Sequence, residues 1–489
     1  MNYLIKLFPE ITIKSKSARK NLIKCLRRNL RKVVDDYDRE ARLSASWDAI
    51  EIALSQPLAA EALAEFEAAL GRVPGIHEVL AVENSPLGDF EAIAERVLPL
   101  WLPRIAGKSF RVRVKRKGKH DFTSADLERY LGGKLLAGAE GARVDLSRPE
   151  ETLALEVNRE RLQLIGRRWP GLGGYPLGTQ ESALVLMSGG YDSPVAAYRM
   201  MRRGVKSHFL FFNLGGPAHE QGVRAISHYL WQRYSPTHKV NFLSVPFEGV
   251  VKEILTTIPD HLMGVVLKRM MLRVAERVAA RARIPALVTG EAIAQVSSQS
   301  LHNLAMIDGV TERLVLRPVV ADDKQTIIDE ARHIGTAAFS ESMPEYCGVI
   351  SNRPSLKVKR GELEEAEAAF DFTVLDAALA AATRTRSDRL IADQASLPEI
   401  TTLDGEAALA EAPRISVIDI RHPDEREATP LSLPDTELLA IPFYELQERA
   451  QALPRDRHYL LYCDQGVMSR MQALHLADQG LDHFGVYRR

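Results

Sequence analysis

Residues 183–204 read ALVLMSGGYDSPVAAYRMMRRG, and the fold is decided by how this stretch is parsed. Ala183 to Met187 is an apolar run of the length expected for a fully buried strand. Ser188-Gly189-Gly190-Tyr191-Asp192-Ser193 is a polar turn carrying two glycines. Pro194 follows a serine able to cap a helix, so the helix is expected to begin there. Val195, Tyr198 and Met201 keep helical spacing and Gly204 closes the element. Strand, glycine turn and helix N-terminus together form an anion site, because unpaired N–H groups and the helix dipole converge on one point.

The turn is not a Walker A loop, since no Gly-Lys-Ser/Thr follows, nor does it show Gly-x-Gly-x-x-Gly. Ser-Gly-Gly-x-Asp-Ser resembles the PP-loop of ATP pyrophosphatases, which adenylate an oxygen and release pyrophosphate. That resemblance implies that Ser188, Gly189, Gly190 and Ser193 cradle phosphates, with Asp192 beside the reacting phosphate and its magnesium.

The 489 residues exceed what one core holds and fit three or four domains. Net charge is zero, so only its distribution informs. Three scattered cysteines, Cys25, Cys347 and Cys463, exclude a disulfide scaffold or zinc cluster and suit a reducing cytoplasm. The N-terminus breaks its apolar run with lysines, unlike a signal peptide, and no stretch offers the roughly eighteen apolar residues of a membrane helix. A soluble, cytoplasmic protein with no membrane partner is expected.

Residues 1–39 hold eleven Lys/Arg against four acids. A strand (3–8) and a basic helix (17–37) are expected there, then a strand over 47–54. Residues 60–165 read as a second α+β unit with helices over 61–70 and 90–102. Between Arg104 and Lys119 stand eight Lys/Arg and no acid. Alternation from Ser109 puts Arg111, Arg113 and Lys115 on one strand face, and Arg116, Lys117 and Lys119 continue the charge, an electrostatic footprint for phosphates. The succession Pro-Gly-Ile (74–76), Arg-Val-Arg-Val-Lys-Arg (111–116) and Lys-His-Asp-Phe-Thr-Ser (119–124) resembles a THUMP RNA-binding domain, and the preceding piece resembles its ferredoxin-like companion.

Glycine- and proline-rich residues 166–179 connect to the PP-loop strand. Residues 180–370 alternate strand and helix as a doubly wound sheet does. Ligands in such sheets sit outside the carboxyl ends of strands, which brings Leu186, Met187, Phe211, Phe212 and Gly290 to one crevice. Lys268 is expected to face the phosphates and Gln299 to hydrogen-bond the nucleotide. Met343 to Val349 is a loop carrying Cys347, and residues 371–405 read as a linker. In the last block, 406–489, Asp419-Ile-Arg421 ends one strand and a second delivers Cys463 to the loop Cys463–Arg470, which feeds a helix. This block resembles a rhodanese domain. A cysteine among backbone N–H groups at a helix N-terminus has its thiolate favoured.

Taken in order (1–59 ferredoxin-like, 60–165 THUMP, 166–179 connector, 180–370 PP-loop of the adenine nucleotide alpha hydrolase-like fold, 371–405 linker, 406–489 rhodanese), the multidomain α/β and α+β chain resembles the bacterial tRNA 4-thiouridine synthetases, or tRNA sulfurtransferases. The resemblance implies tRNA as substrate, ATP and magnesium as cofactors, and a cysteine desulfurase as sulfur donor to a persulfide on Cys463. It implies attack of that persulfide on the adenylated uridine at position 8, then a transient disulfide between Cys347 and Cys463. It also implies a second role supplying sulfur to thiamine's thiazole through a sulfur-carrier protein. Two other readings fit parts of the pattern. The basic N-terminal half and Cys463 speak against a PP-loop synthetase using ammonia on a small metabolite. Intact Asp192 and Lys268 speak against a non-catalytic RNA-binding protein.

Overall fold

The computed structural model describes residues 2–214, 216–341, 343, 354–391, 400–405, 415–421, 423–433, 436–464, 466–478 and 480–488. The chain forms two compact units, residues 1–179 with 202–204, and residues 180–201 with 205–489.

The first unit is built on one eight-stranded sheet: β1 (Asn2–Leu7), β2 (Arg42–Ala45), β3 (Ala49–Ala53), β4 (Ile76–Pro86), β5 (Ser109–Lys117), β6 (Arg143–Val144), β7 (Glu151–Asn158) and β8 (Arg161–Pro170), in the order β2-β3-β1-β4-β8-β7-β5-β6. Its first core gathers Tyr3, Ile5, Leu26, Leu30, Phe66 and Ile76 beneath the helix Lys16–Asp35. That helix exists because Ile23, Leu26, Leu30, Val33 and Val34 recur on one buried face and Ser15 accepts a hydrogen bond from Ala18 N–H at its start. Lys16, Lys20, Lys24, Arg27, Arg28 and Lys32 lie exposed on the other side. A second core forms beneath β5 and β7 with Trp101, Phe110, Leu127 and Leu131.

The boundary expected between residues 59 and 60 is displaced. The helix Ala60–Gly71 sends Phe66 and Leu70 into the first core, and β4 pairs with β1, so the first half of the unit runs into β4. The Asp-Phe-Thr-Ser motif has a local cause. Thr123 and Asp126 form a capping box for the helix Ser124–Gly138, and Phe122 lies under the Arg116 guanidinium.

In the second unit, β9 (Ser182–Met187), β10 (Lys206–Asn213), β11 (Asn241–Pro246), β12 (Ala286–Val288), β13 (Leu314–Leu316) and β14 (Thr383–Arg386) make a sheet in the order β13-β12-β9-β10-β11-β14. All pairs are parallel except β11–β14. Val185 pairs with Phe209 on one side and Val288 on the other, so the strand order reverses at β9. The glycine turn after β9 therefore opens at the switch point, where such sheets bind ligands. The linker expected at 371–405 is corrected here: the helix Thr373–Ala380 packs Leu375 into the sheet's core and β14 closes its edge.

The remaining strands, β15 (Thr402–Asp404), β16 (Ile415–Asp419), β17 (Glu437–Ala440), β18 (His458–Tyr462) and β19 (Phe484–Arg488), form an all-parallel sheet in the order β15-β19-β18-β16-β17. It gains an edge strand, β15, ahead of residue 406, where the block was expected to begin. Cys463 follows β18 at the carboxyl edge.

Candidate active site

The glycine turn opens on a cavity of about 860 Å³. The structure brings the expected phosphate-side residues together on its wall: Ser188, Gly190, Asp192, Ser193, Lys268 and Gly290. Strand ends Leu186, Met187, Phe211 and Phe212 supply an apolar wall, and Gln299 stands in it as well. Gly189 does not reach the cavity lining. It takes φ +84, and a Cβ there would meet Met343 Sδ at 2.7 Å, so its role is conformational. Gly290 is required for close approach, since a Cβ would lie 2.6 Å from Ser193 N.

The helix does not begin at Pro194. It starts at Asp192, and Ser193 turns its Oγ back to accept the Ser188 N–H at 3.1 Å. The expected capping serine thus braces the turn from inside the helix, and Asp192 occupies the first turn, where the dipole favours an anion. His219 approaches Ser188 O at 3.3 Å and meets the Phe211 ring edge-on. Burial pushes its imidazole below the usual range, outweighing the hydrogen bond to Ser188. Tyr191 is pushed up to about 12 by burial and by the hydrogen-bonded Glu341 carboxylate.

Two charged groups on this wall have partners that spacing along the chain does not show. Lys324 donates Nζ to Asp192 Oδ1 at 3.2 Å, and Gln295 donates Nε2 to Oδ2 at 3.3 Å. Sequence reasoning missed both donors as partners of Asp192. Lys268 donates to Glu291 Oε1 at 2.8 Å, and Arg317 to Glu291 Oε2 at 2.8 Å. Burial would raise the Glu291 carboxyl, but the two cations more than offset it and hold it below the ordinary range. Lys268 lines the cavity from the helix Met263–Ala282, fixed by this carboxylate. Gln299 Oε1 and Gln295 Oε1 are buried with no hydrogen-bond partner among the described residues, so the cavity wall carries acceptors still to be met by a ligand's donors.

Cys463 is buried, and its Sγ accepts the Ser469 N–H at 3.3 Å, with Ser469 Oγ at 3.5 Å. Gly466 turns the loop at φ +69 into the helix Val467–Asp478. Arg421 anchors the loop from beneath. It is 2% exposed and binds Asp419 through Nε and Nη2 at 3.0 and 2.7 Å, and Asp464 at 2.8 Å. The Asp-x-Arg signature is therefore the brace of the cysteine loop. Cys347, expected to pair with Cys463, lies outside the described residues.

On β5, Phe110, Val112 and Val114 are buried, Arg113 and Lys115 are exposed, and Arg111 is half-buried, bonded to Thr152 and Leu146 O. Lys119 is also exposed. The cations of this stretch are not all unpaired as their sequence suggests: Arg104 and Lys108 meet Glu151, and Lys117 meets Asp48 at 2.5 Å. Both acids come from other strands or loops, so no local window reveals them.

The fold and site define a class: a doubly wound α/β protein with a glycine turn at its switch point, joined to an α+β half. Family models agree on each part. Residues 2–79 match the ThiI ferredoxin-like domain, 88–165 the THUMP domain, and 178–372 the family described as Thiamine biosynthesis protein (ThiI). Over the full length of both chains, the protein is 47% identical to a tRNA sulfurtransferase of Klebsiella pneumoniae (strain 342) and 49% identical to one of Edwardsiella ictaluri (strain 93-146). The chain belongs to the tRNA sulfurtransferase family and is an enzyme of the transferase class. A crystal structure of a 4-thiouridine synthetase–RNA complex with bound ATP matches with a TM-score of 0.69 and 27% identity, covering 79% of this chain and 99% of that one. PH1313 from Pyrococcus horikoshii Ot3 shares the fold, at a TM-score of 0.52 and 17% identity over 68% of this chain and all of its own. No helix among the described residues is long and apolar enough to cross a membrane.

Proposed function

We propose that the protein converts the uridine at position 8 of tRNA to 4-thiouridine, using ATP and a sulfur carried on Cys463. The observation that carries this reading is the wall of one cavity: a braced glycine turn, Asp192 held by Lys324 and Gln295, and Lys268 opposite. The phosphates lie on Ser188, Gly190 and Ser193, the adenine lies against the apolar strand ends with Gln299, and Lys268 and Lys324 balance charge during transfer. Magnesium arrives with the triphosphate and supplies charge neutralisation. Asp192 is the carboxylate placed to hold it, and among the described residues no group of three or more His, Cys, Asp or Glu forms a metal site of its own.

The uridine O4 attacks the α-phosphorus, pyrophosphate leaves, and the base loses its N3 proton. The terminal sulfur of a Cys463 persulfide, loaded by a cysteine desulfurase, then attacks C4 and AMP leaves. Cys347 attacks the Cys463 sulfur of the resulting adduct, which frees the thiolated base and leaves a Cys347–Cys463 disulfide for a reductant to reset. The C-terminal sheet acts in this scheme as a rhodanese domain, its loop N–H groups favouring a sulfur anion. The exposed cations of β5 and of the helix Lys16–Asp35 hold the tRNA backbone. The matched family's description adds support for a second role, donation of Cys463 sulfur to a thiazole-pathway carrier protein.

The test is pyrophosphate release from ATP with and without tRNA, for the wild type, Asp192→Asn and Lys324→Met. Each substitution should lower tRNA-dependent release by about 10²–10³-fold, the scale seen when one electrostatic group facing a transferring phosphoryl is removed. Affinity for tRNA should stay at the wild-type value. Full release by Asp192→Asn sinks the assignment.

A further inference from the structure

Gln295 is half satisfied. Its Nε2 donates to Asp192 Oδ2 at 3.3 Å, which orients the amide, and its Oε1 is buried with no partner among the described residues. The side chain lines the cavity. Its backbone is set by Ala294, which adopts φ +62, a left-handed conformation uncommon outside glycine. Hydrogen bonds from Ala294 N–H to Gln299 O at 3.0 Å and from Gln295 N–H to Ala292 O at 3.4 Å hold this bend. A strained residue beside a buried acceptor with no donor is costly in two ways at once, and such costs persist where a ligand uses them.

We propose that Gln295 Oε1 accepts the N3–H of the base being activated, and thereby admits uracil and rejects cytosine. This rests on the adenylation reading above and names the feature of the substrate that the same site recognises. The amide is tied to Asp192, hence to the reacting end of the cavity rather than to its apolar wall. Phosphate oxygens at that end are acceptors and offer Oε1 nothing. Uracil presents one Watson–Crick donor, N3–H, beside the O4 that reacts. Cytosine presents a bare N3 lone pair there, which would face Oε1 acceptor to acceptor. A site built around a substrate N–H discriminates strongly against the analogue that lacks it. The electron count agrees: as O4 bonds to phosphorus and the bond to pyrophosphate breaks, C4=O4 becomes C4=N3, and the N3 proton passes to solvent.

The experiment uses the full chain with tRNA transcripts carrying uridine or cytidine at position 8, and reads pyrophosphate release. Gln295→Met, close in size but without polar atoms, should lower uridine-dependent release about tenfold or more, the cost of one buried hydrogen bond. Its ATP KM should stay within about twofold of wild type, which also reports an intact fold. The preference for uridine over cytidine should fall by a similar factor, and Gln295→Glu, which keeps an acceptor oxygen, should retain more of it. An unchanged preference in Gln295→Met overturns the inference. So does a raised magnesium requirement with the preference intact, which would make Oε1 a metal ligand instead. A wild-type chain that releases no pyrophosphate with the uridine transcript sinks the adenylation reading itself. An active wild type with an unaltered Gln295→Met sinks this inference alone.

Discussion

Glu291 shows how much a single residue can carry. Its buried carboxylate faces Lys268 on one oxygen and Arg317 on the other, and Thr289 Oγ1 adds a hydrogen bond at 3.0 Å. Removing a buried charge from such a set leaves its partners uncompensated. Glu291→Gln should therefore destabilise the second unit by about 3–5 kcal/mol, seen as an earlier thermal transition. The pH dependence has a definite sign. The folded-state carboxyl lies below its unfolded value of 4.5, so its contribution is present above about pH 4.5 and is lost as pH falls through the folded value. Glu291→Gln should abolish that part of the acid sensitivity. An acid profile identical in mutant and wild type would show that Glu291 is not the group responsible.

At the scale of an element, β5 separates cations that neutralise their own fold from cations that face outward. Lys117 is engaged with Asp48, whereas Arg113 and Lys115 project from the exposed face. Arg113→Ala with Lys115→Ala should weaken tRNA binding and flatten its salt dependence by up to roughly 0.7–0.9 log units for each phosphate no longer neutralised. Lys117→Ala should change the slope less, because its ammonium already has a counter-charge and surface pairs of this kind are worth about 0–1 kcal/mol to stability. Equal slopes for the double variant and the wild type would remove this strand from the RNA interface. The alternation that marks β5 is legible in the sequence because it is local. The acids that temper it are not, because Asp48 and Glu151 come from distant parts of the chain. The same holds for β14, expected as linker, whose four residues Thr-Arg-Thr-Arg carry little apolar signal and become a strand through pairing with β11.

For the whole molecule, the proposed cycle requires two thiols, Cys347 and Cys463, 116 residues apart in the chain, to meet once per turnover. A disulfide demands Cα atoms within about 7 Å. The Cys463 sulfur, buried beside Ser469, must leave its loop environment to react. In a reducing compartment such a disulfide is transient and catalytic, so thiolation without reductant should stop after about one cycle. Cys347→Ala should retain ATP binding and persulfide loading at Cys463, read by mass spectrometry, while losing most thiolation. Multiple turnovers by Cys347→Ala at the normal rate would falsify the disulfide step.

What the sequence determined by itself was everything written within one turn or one strand. The glycine turn after an apolar run, the alternation of β5, the basic helix and the Cys463 loop all state their structure through neighbours a few residues away. Tertiary structure decided which groups face one another across the cavity. Lys324 and Gln295 reach Asp192 from 132 and 103 residues further on, and nothing in their local spacing differs from that of any surface lysine or loop glutamine. Hydrogen bonds and ion pairs of that range form only after the strand order has reversed at β9 and packing has brought distant loops to one edge of the sheet. The sequence thus specified the anion-binding turn, and the fold supplied the charges and the unpaired acceptors that surround it.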